Sequence, residues 1–381
     1  MELTDEQAAL RDTVADFAAT HLAPHAVDWD QRKHFPVDVL RKAAALGLGG
    51  VYVAEEYGGS GLGRRDGAVI FEALATGCPS LSAYTSIHNM VALMVDRHGT
   101  PAQRAARLPD LCTMDTLGAY CLTEPGAGSD AGAITSRARR DGAGWILDGV
   151  KQFISGAGAA GLYIVFARTG GPGPRGISAF LVDADNPGLS CGPNEAKMGW
   201  NAQPTRQVVL DGARLPADAL LGAEGGGFAI AMAALDGGRL NIGACSLGGG
   251  RAALDRAVAY LRDRHAFGAP LTDAQALRFR VADAHTQLEA ARLLLHRAAD
   301  ALDRGDPHAT AACAMAKRLA TDTGFEVADA ALQLHGGYGY LTETGIEKIV
   351  RDLRVHRILE GTNEIMRVII ARDLLADRTA A

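Results

Sequence analysis

The stretch LYIVFARTGGPGPRGISAFLV, running from Leu162 to Val182, decides the fold. Its two apolar runs, Leu162 to Ala167 and Ile177 to Val182, are too short for helices that bury a face. Both are rich in the β-branched and aromatic side chains that suit a pleated surface. Between them lies Thr169-Gly-Gly-Pro-Gly-Pro-Arg-Gly176, whose prolines lack the N–H a ladder needs and whose glycines admit tight turns. The stretch therefore reads as two strands joined by a loop. Just upstream, Trp145-Ile-Leu147 runs into Asp148-Gly149, a dipeptide favoured in two-residue hairpins. Residues 114–220 are expected to form a compact antiparallel β domain.

Outward from this centre the texture turns helical on both sides. Thr4 and Gln7 have capping-box spacing with Leu3 as a possible staple, so a helix is expected almost at once. Phe35-Pro36 precedes a second helix, Gly47 follows it, and residues 58–63 form a glycine-rich turn, so residues 1–113 read as mainly α-helical. On the far side Leu277, Val281, Ala284, Leu288, Ala291, Leu295, Ala298 and Leu302 alternate four and three residues apart, the seam of a long packed helix. Residues 221–381 read as a helical bundle, and the whole as an α+β, mainly α chain in the order helical, β, helical.

Composition excludes several classes. The 38 Lys and Arg against 44 Asp and Glu give a net charge of −6, with the basic residues scattered, so nucleic acid is not an expected partner. No apolar run approaches the roughly 20 residues of a membrane-spanning helix. The six cysteines form no C-x-x-C pair and read as reduced, structural thiols. The acidic N-terminus Met-Glu-Leu-Thr-Asp-Glu-Gln7 differs from import or export signals, and a cytoplasmic protein is expected. Gly171-Pro-Gly-Pro-Arg-Gly176 spells G-x-G-x-x-G, but a strand rather than a helix follows it, so a dinucleotide turn is not expected. G-x-S-x-G, P-loop and H-E-x-x-H motifs are absent, and His21 with His25 reads as a solvated pair rather than a metal site. The triplets Gly225 to Gly227 and Gly248 to Gly250 suit either a close ligand approach or close helix packing.

Three segments carry more chemistry: Tyr120-Cys-Leu-Thr-Glu-Pro-Gly-Ala-Gly-Ser-Asp130, Lys151-Gln-Phe-Ile-Ser-Gly156, and the pair Leu334-His-Gly-Gly-Tyr-Gly-Tyr-Leu341 with Arg354-Val-His-Arg-Ile-Leu-Glu-Gly-Thr-Asn-Glu364. The first offers N–H groups and hydroxyls on a glycine-permitted turn, suited to the edge of a planar heterocycle. Read alone it is a polar loop. Together the segments resemble the acyl-CoA dehydrogenase family over nearly the whole chain. Thr169 to Ser178, Gly199-Trp-Asn-Ala-Gln-Pro-Thr-Arg206 and Ile358 to Glu364 resemble the branch acting on isobutyryl-CoA.

That resemblance implies FAD as cofactor. Tyr120, Cys121, Leu122, Thr123 and Gly128 would border the flavin, and Ser129 would meet both cofactor and the pantetheine arm of the thioester. Phe153, Ile154 and Ser155 would flank the isoalloxazine. Many relatives place Trp where Phe153 stands, so a smaller aromatic wall is implied. Arg264 and Phe267, within Arg264-His-Ala-Phe-Gly268, would hold the FAD of a neighbouring subunit, together with Gln275, Gln333, Leu334, His335, Gly336 and Gly337. Thr362, Asn363 and Glu364 complete the implied cofactor set, and a homotetramer is implied. Asp236, Gly237, Gly238, Arg239 and Arg372 match positions on the CoA side. Structural salt bridges are the plain reading of those charges, and Arg264 alone is a helix-end arginine.

An isolated Glu before Gly is usually a solvated helix end, but Glu360 sits at a break between two helices, where it can project into a cleft. The resemblance makes Glu360 the catalytic base. Some relatives carry the base just before the residue matching Arg239, a position occupied here by Gly238, which holds no proton acceptor. The implied reaction is α,β-dehydrogenation of a short branched acyl-CoA, isobutyryl-CoA to methacrylyl-CoA in valine breakdown, with electrons passed to an electron-transfer flavoprotein. The Glu360 N–H and a ribityl hydroxyl of FAD would stabilise the thioester oxygen. Other short thioesters such as 2-methylbutyryl- or butyryl-CoA, an oxidase, and a non-catalytic acyl-CoA-binding homologue stay open.

Overall fold

An eight-stranded sheet at the centre of the chain is packed between helices in a computed structural model that describes residues 3–376. Six helices precede it: α1 (Asp5–Phe17), α2 (Ala26–Arg32), α3 (Val37–Ala44), α4 (Arg64–Gly77), α5 (Pro79–His98) and α6 (Pro101–Cys112). The strands are β1 (Gly118–Cys121), β2 (Arg137–Asp141), β3 (Gly144–Ser155), β4 (Leu162–Arg168), β5 (Ile177–Asp183), β6 (Leu189–Cys191), β7 (Thr205–Leu215) and β8 (Leu220–Leu221). The chain continues through α7 (Gly227–Asp263), a small hairpin of β9 (His265–Ala266) and β10 (Ala269–Pro270), α8 (Gln275–Asp303), α9 (Ala309–Leu334), α10 (Ile346–Arg354) and α11 (Asn363–Leu375). The Thr4–Gln7 capping box forms in both directions at the start of α1.

The runs in β4 and β5 are apolar throughout because both faces of these strands are covered. Ile164, Phe166 and Ile177 pack with Met90 and Val91 of α5, Leu108 of α6 and Ile230 of α7. Tyr163, Val165 and Phe180 face the other way, into a core with Trp145 and Val208. Alternate residues of one strand thus serve two cores.

The strand order β6-β7-β3-β2-β4-β5-β8 is mostly antiparallel. Against expectation, β1 joins β4 in parallel, Gly118 opposite Leu162 and Cys121 opposite Val165. Asp148-Gly149 also corrects the sequence reading. The hairpin turns instead between Asp141 and Gly144, and Asp148-Gly149 lies inside β3 at a register shift. Gly149 has φ +148° and lies so close to Ser136 that a side chain would overlap it, so the glycine serves a bulge rather than a turn.

The C-terminal bundle is built round α7, whose 37 residues span about 55 Å. The seam predicted for residues 277–302 falls on α8, with Leu288, Ala291, Leu295 and Ala298 fully buried. Gly248 and Gly250 let backbones meet: a side chain at Gly248 would strike the Glu72 carbonyl of α4, and one at Gly250 would crowd Gly324 of α9. Close packing is therefore the role of that triplet.

Candidate active site

Glu360 sits where helical structure fails. After α10 a single 3-10 turn (Val355–Arg357) leads into a break, and α11 restarts at Asn363 with the Thr362 hydroxyl accepting from the Ile365 N–H at 3.3 Å. Within the break Glu360 has φ +55° and Gly361 φ +88°. Two successive left-handed residues reverse the chain, and for a glutamate this backbone costs roughly 1–3 kcal/mol unless its surroundings impose it. They do so here. The Lys317 ammonium donates to the Gly361 carbonyl at 2.9 Å, and Arg239 Nε donates to the Glu360 carbonyl at 3.3 Å.

The turn sends the Glu360 side chain inward. Its Oε2 is buried and has no hydrogen-bond partner. Burial pushes the carboxyl up to about 7 against the opposing pull of Lys317 and Arg239. A methyl group at Gly238 would overlap this same oxygen, so α7 makes room for the carboxylate by having no side chain there.

Glu360 opens onto a cleft of about 1760 Å³ between the sheet and the helices α5, α7 and α11. From the sheet side come Tyr120, Leu122, Thr123, Gly128, Ser129, Phe153, Ile154 and Ser155. Phe153 stands at a second β3 register shift with φ +59°, and the residue is 63% exposed. The Ser155 hydroxyl accepts from Gln203 at 3.4 Å. Beneath this wall, Gln152 N–H donates to the Thr123 carbonyl at 2.8 Å. The Lys151 ammonium donates to the Leu122 carbonyl at 3.2 Å and to Glu124 at 2.7 Å. From α7 comes Arg239, ion-paired with Asp236, whose other oxygen accepts from Thr310 at 2.7 Å. Arg372 reaches the cleft from α11.

Other singled-out residues lie elsewhere. Cys121 points into the far core of the sheet. Thr362 caps α11, Asn363 is buried in hydrogen bonds to Lys317, Thr321 and Asp322, and Glu364 is exposed. Asp236 and Gly237 sit on α7 behind the lining. Arg264, Phe267, Gln275, Gln333, Gly336 and Gly337 form a separate exposed group where α7 ends and α9 ends, outside the cleft. There His335 is buried and stacks on Tyr260 at 4.7 Å, Leu334 is buried, and Arg264 lies 5.9 Å from the Tyr338 ring. Among the described residues no group of His, Cys, Asp and Glu is placed to hold a metal, and no helix is long and apolar enough to cross a membrane.

The models of three acyl-CoA dehydrogenase domains match consecutive parts of the chain: the N-terminal domain over residues 4–115, the middle domain over 119–213 and the C-terminal domain over 225–375. The chain belongs to the acyl-CoA dehydrogenase family. Mitochondrial isobutyryl-CoA dehydrogenase of Bos taurus is 50% identical over 377 residues, 99% of this chain and 91% of that one. A solved chain described under the electron transferring flavoprotein of Acidaminococcus fermentans superposes with TM-score 0.96 at 37% identity, covering 99% of this chain and all of that one. An FAD complex of PigA superposes with TM-score 0.94 at 31% identity, covering 98% of each chain.

Several cleft residues of this acyl-CoA dehydrogenase escaped the sequence reading. Phe228, Met232 and Leu235 lead up to Arg239 along α7, and Ile365, Val368 and Ile369 lead up to Arg372 along α11. Each set is an apolar stripe at helical spacing ending in arginine, a signal that was present but is indistinguishable from ordinary core without a structure. Ile87 and Met90 of α5 were likewise unforeseen, and Trp200, another left-handed residue at φ +56°, reads in the sequence only as part of a family-like segment and not as a cleft residue.

Proposed function

We propose that this acyl-CoA dehydrogenase acts on isobutyryl-CoA, forming methacrylyl-CoA in valine breakdown, with Glu360 as the base. The observation that carries the reading is the Glu360 carboxyl, whose Oε2 is buried without a hydrogen-bond partner and whose pKa burial pushes up to about 7, at the wall of the cleft. A base poised near working pH removes a weakly acidic α proton most effectively. The identity to the bovine isobutyryl-CoA dehydrogenase supports the choice of substrate.

The residues present suit FAD. Phe153 offers an uncovered ring, Thr123 and Ser155 offer hydroxyls, and the surface at Gly128 is open, with nothing within 4 Å of where a side chain would start. FAD, when bound, supplies the acceptor for the β hydride. The chain does the rest. Leu122, Thr123, Phe153, Ile154 and Ser155 would hold the cofactor. Phe228, Met232, Leu235 and Ile365 exclude water from the acyl group, while Arg239 and Arg372 offer charge toward the CoA portion. Glu360 takes the α proton onto its carboxylate, and its backbone N–H donates to the thioester oxygen, where one oriented donor is worth roughly 3 kcal/mol.

Reoxidation by an electron-transfer flavoprotein is part of the proposal, as is a homotetramer. The exposed Phe267, three residues after Arg264, and the exposed Tyr338, whose ring lies 5.9 Å from the Arg264 guanidinium, support a further copy covering that surface.

Glu360→Gln is expected to keep FAD and assembly while slowing flavin bleaching by isobutyryl-CoA at least about 10²-fold in stopped flow. In the unaltered enzyme the bleaching rate should climb as pH rises through about 7, because only the ionised carboxylate accepts the proton. Near-normal bleaching by the variant rejects Glu360 as the base. A kcat/KM series over isobutyryl-, 2-methylbutyryl-, butyryl- and isovaleryl-CoA tests the substrate.

A further inference from the structure

One buried amine beside the cleft has no part in the chemistry so far. Lys317, in the middle of α9, has no exposed surface. It donates to the Gly361 carbonyl and to Asn363 Oδ1, each at 2.9 Å. The Asn363 amide is held in turn by Thr321 Oγ1 at 3.0 Å and Asp322 Oδ1 at 2.9 Å. Lys317 therefore grips the chain on both sides of Thr362, immediately after the left-handed Glu360. Lysine is almost never fully buried unless paired, since desolvating an ammonium is unfavourable.

The surroundings indicate what the charge does. Burial lowers Lys317 to about 8, and the strongest charge favouring its protonated form is Glu360, with Asp322 and Glu364 adding to it and Arg239 opposing. Reciprocally, Lys317 is the strongest charge that holds Glu360 down against burial, ahead of Arg239. The Arg239 charge is already engaged by Asp236. The other titratable groups facing this pair are neutral through burial: His356 is pushed down to about 3, Cys245 up to about 12, and Tyr120 well above the ordinary phenol range.

We propose that Lys317 is a positioning residue for the base: its ammonium clamps the Gly361 carbonyl and the Asn363 side chain, fixes the left-handed turn, and supplies the field that lets Glu360 ionise in a water-excluding cleft. The inference rests on Glu360 being the base. Above the Lys317 pKa the field is lost, so the two groups titrate as a coupled pair rather than independently.

The test reads Glu360 ionisation in the FAD-loaded protein without turnover, by infrared difference titration of the carboxyl band identified by its loss in Glu360→Gln. Lys317→Met and Lys317→Gln are expected to raise the midpoint by about one pH unit, leaving about one tenth of the ionised fraction at pH 6. Flavin reduction at pH 6 should fall by the same factor with acyl-CoA affinity unchanged, and Lys317→Arg should restore the midpoint. A midpoint within about 0.3 unit of wild type in either neutral variant overturns the proposal. If neither variant retains FAD, the wild-type titration decides, because a single uncoupled step for the Glu360 band also overturns it. Normal reduction by Glu360→Gln would remove the base while leaving the midpoint measurement intact, so the two failures are separable.

Discussion

Two buried carboxylates stand beside this cleft, each with a buried lysine, and they end in opposite states. Glu124 lies under the sheet wall. Desolvation raises its pKa, but the Lys151 charge, a 2.7 Å hydrogen bond from Lys151, and donors from Thr135 and Ser136 outweigh it and bring the group to about 2. Glu360 receives the field of Lys317 and Arg239, yet one oxygen has no donor at all, and burial wins. Lysine proximity is common to both. What separates a fixed anion from a poised base is the number of hydrogen bonds completed on the carboxylate.

Breaking the satisfied pair should have the largest effect. Lys151→Met strands Glu124 without its counter-ion and is expected to cost roughly 3–5 kcal/mol in urea unfolding. If the variant is as stable as wild type, Glu124 is not held as an anion and the contrast fails. Next comes the unsatisfied group. With a folded pKa near 7 against an ordinary 4.5, Glu360 is neutral in both states below about pH 4.5, and its ionisation weakens the fold increasingly up to about pH 7. Glu360→Gln should therefore unfold like wild type at pH 4 but be more stable at pH 8, by up to roughly 3 kcal/mol. Equal stabilities at pH 8 would show that the carboxylate is better solvated than its surroundings suggest. Smallest is Thr135→Ala, which removes one donor from Glu124 and leaves the backbone donors in place. It should cost about 1.5 kcal/mol in thermal or urea unfolding and leave flavin reduction unchanged.

The same contrast explains what the amino-acid order disclosed. Local physics was legible: β4 and β5 read as strands from their own residues, the α8 seam from its spacing, and the Glu360 break from the glycine after it. Thr123, Phe153 and Glu360, from distant segments, do meet at one cleft. Asp148-Gly149 misled because a turn and a bulge call for the same residue, and the deciding neighbour, Ser136, lies in the loop before β2. Lys317 gave no local signal, since its partner Gly361 is 44 residues away and a Lys-Arg pair in an alanine-rich helix looks solvated. The Arg264 group lies outside the cleft of its own chain, and nothing in its helix-end position alone marks it as more than a solvated arginine.

The bond from Gln152 to the Thr123 carbonyl, with Lys151 on the Leu122 carbonyl, ties the loop after β1 to β3. Thr123 and Phe153 therefore sit on a single stiff plate and move together. With the acyl group placed as proposed above, adaptation of the cavity to a wider or longer tail would come from the opposite jaw, where Met232, Leu235, Ile365 and Ile369 present flexible or branched side chains on α7 and α11. On that placement, substrate range should drift through those four positions while the plate that carries Thr123 and Phe153 stays unaltered.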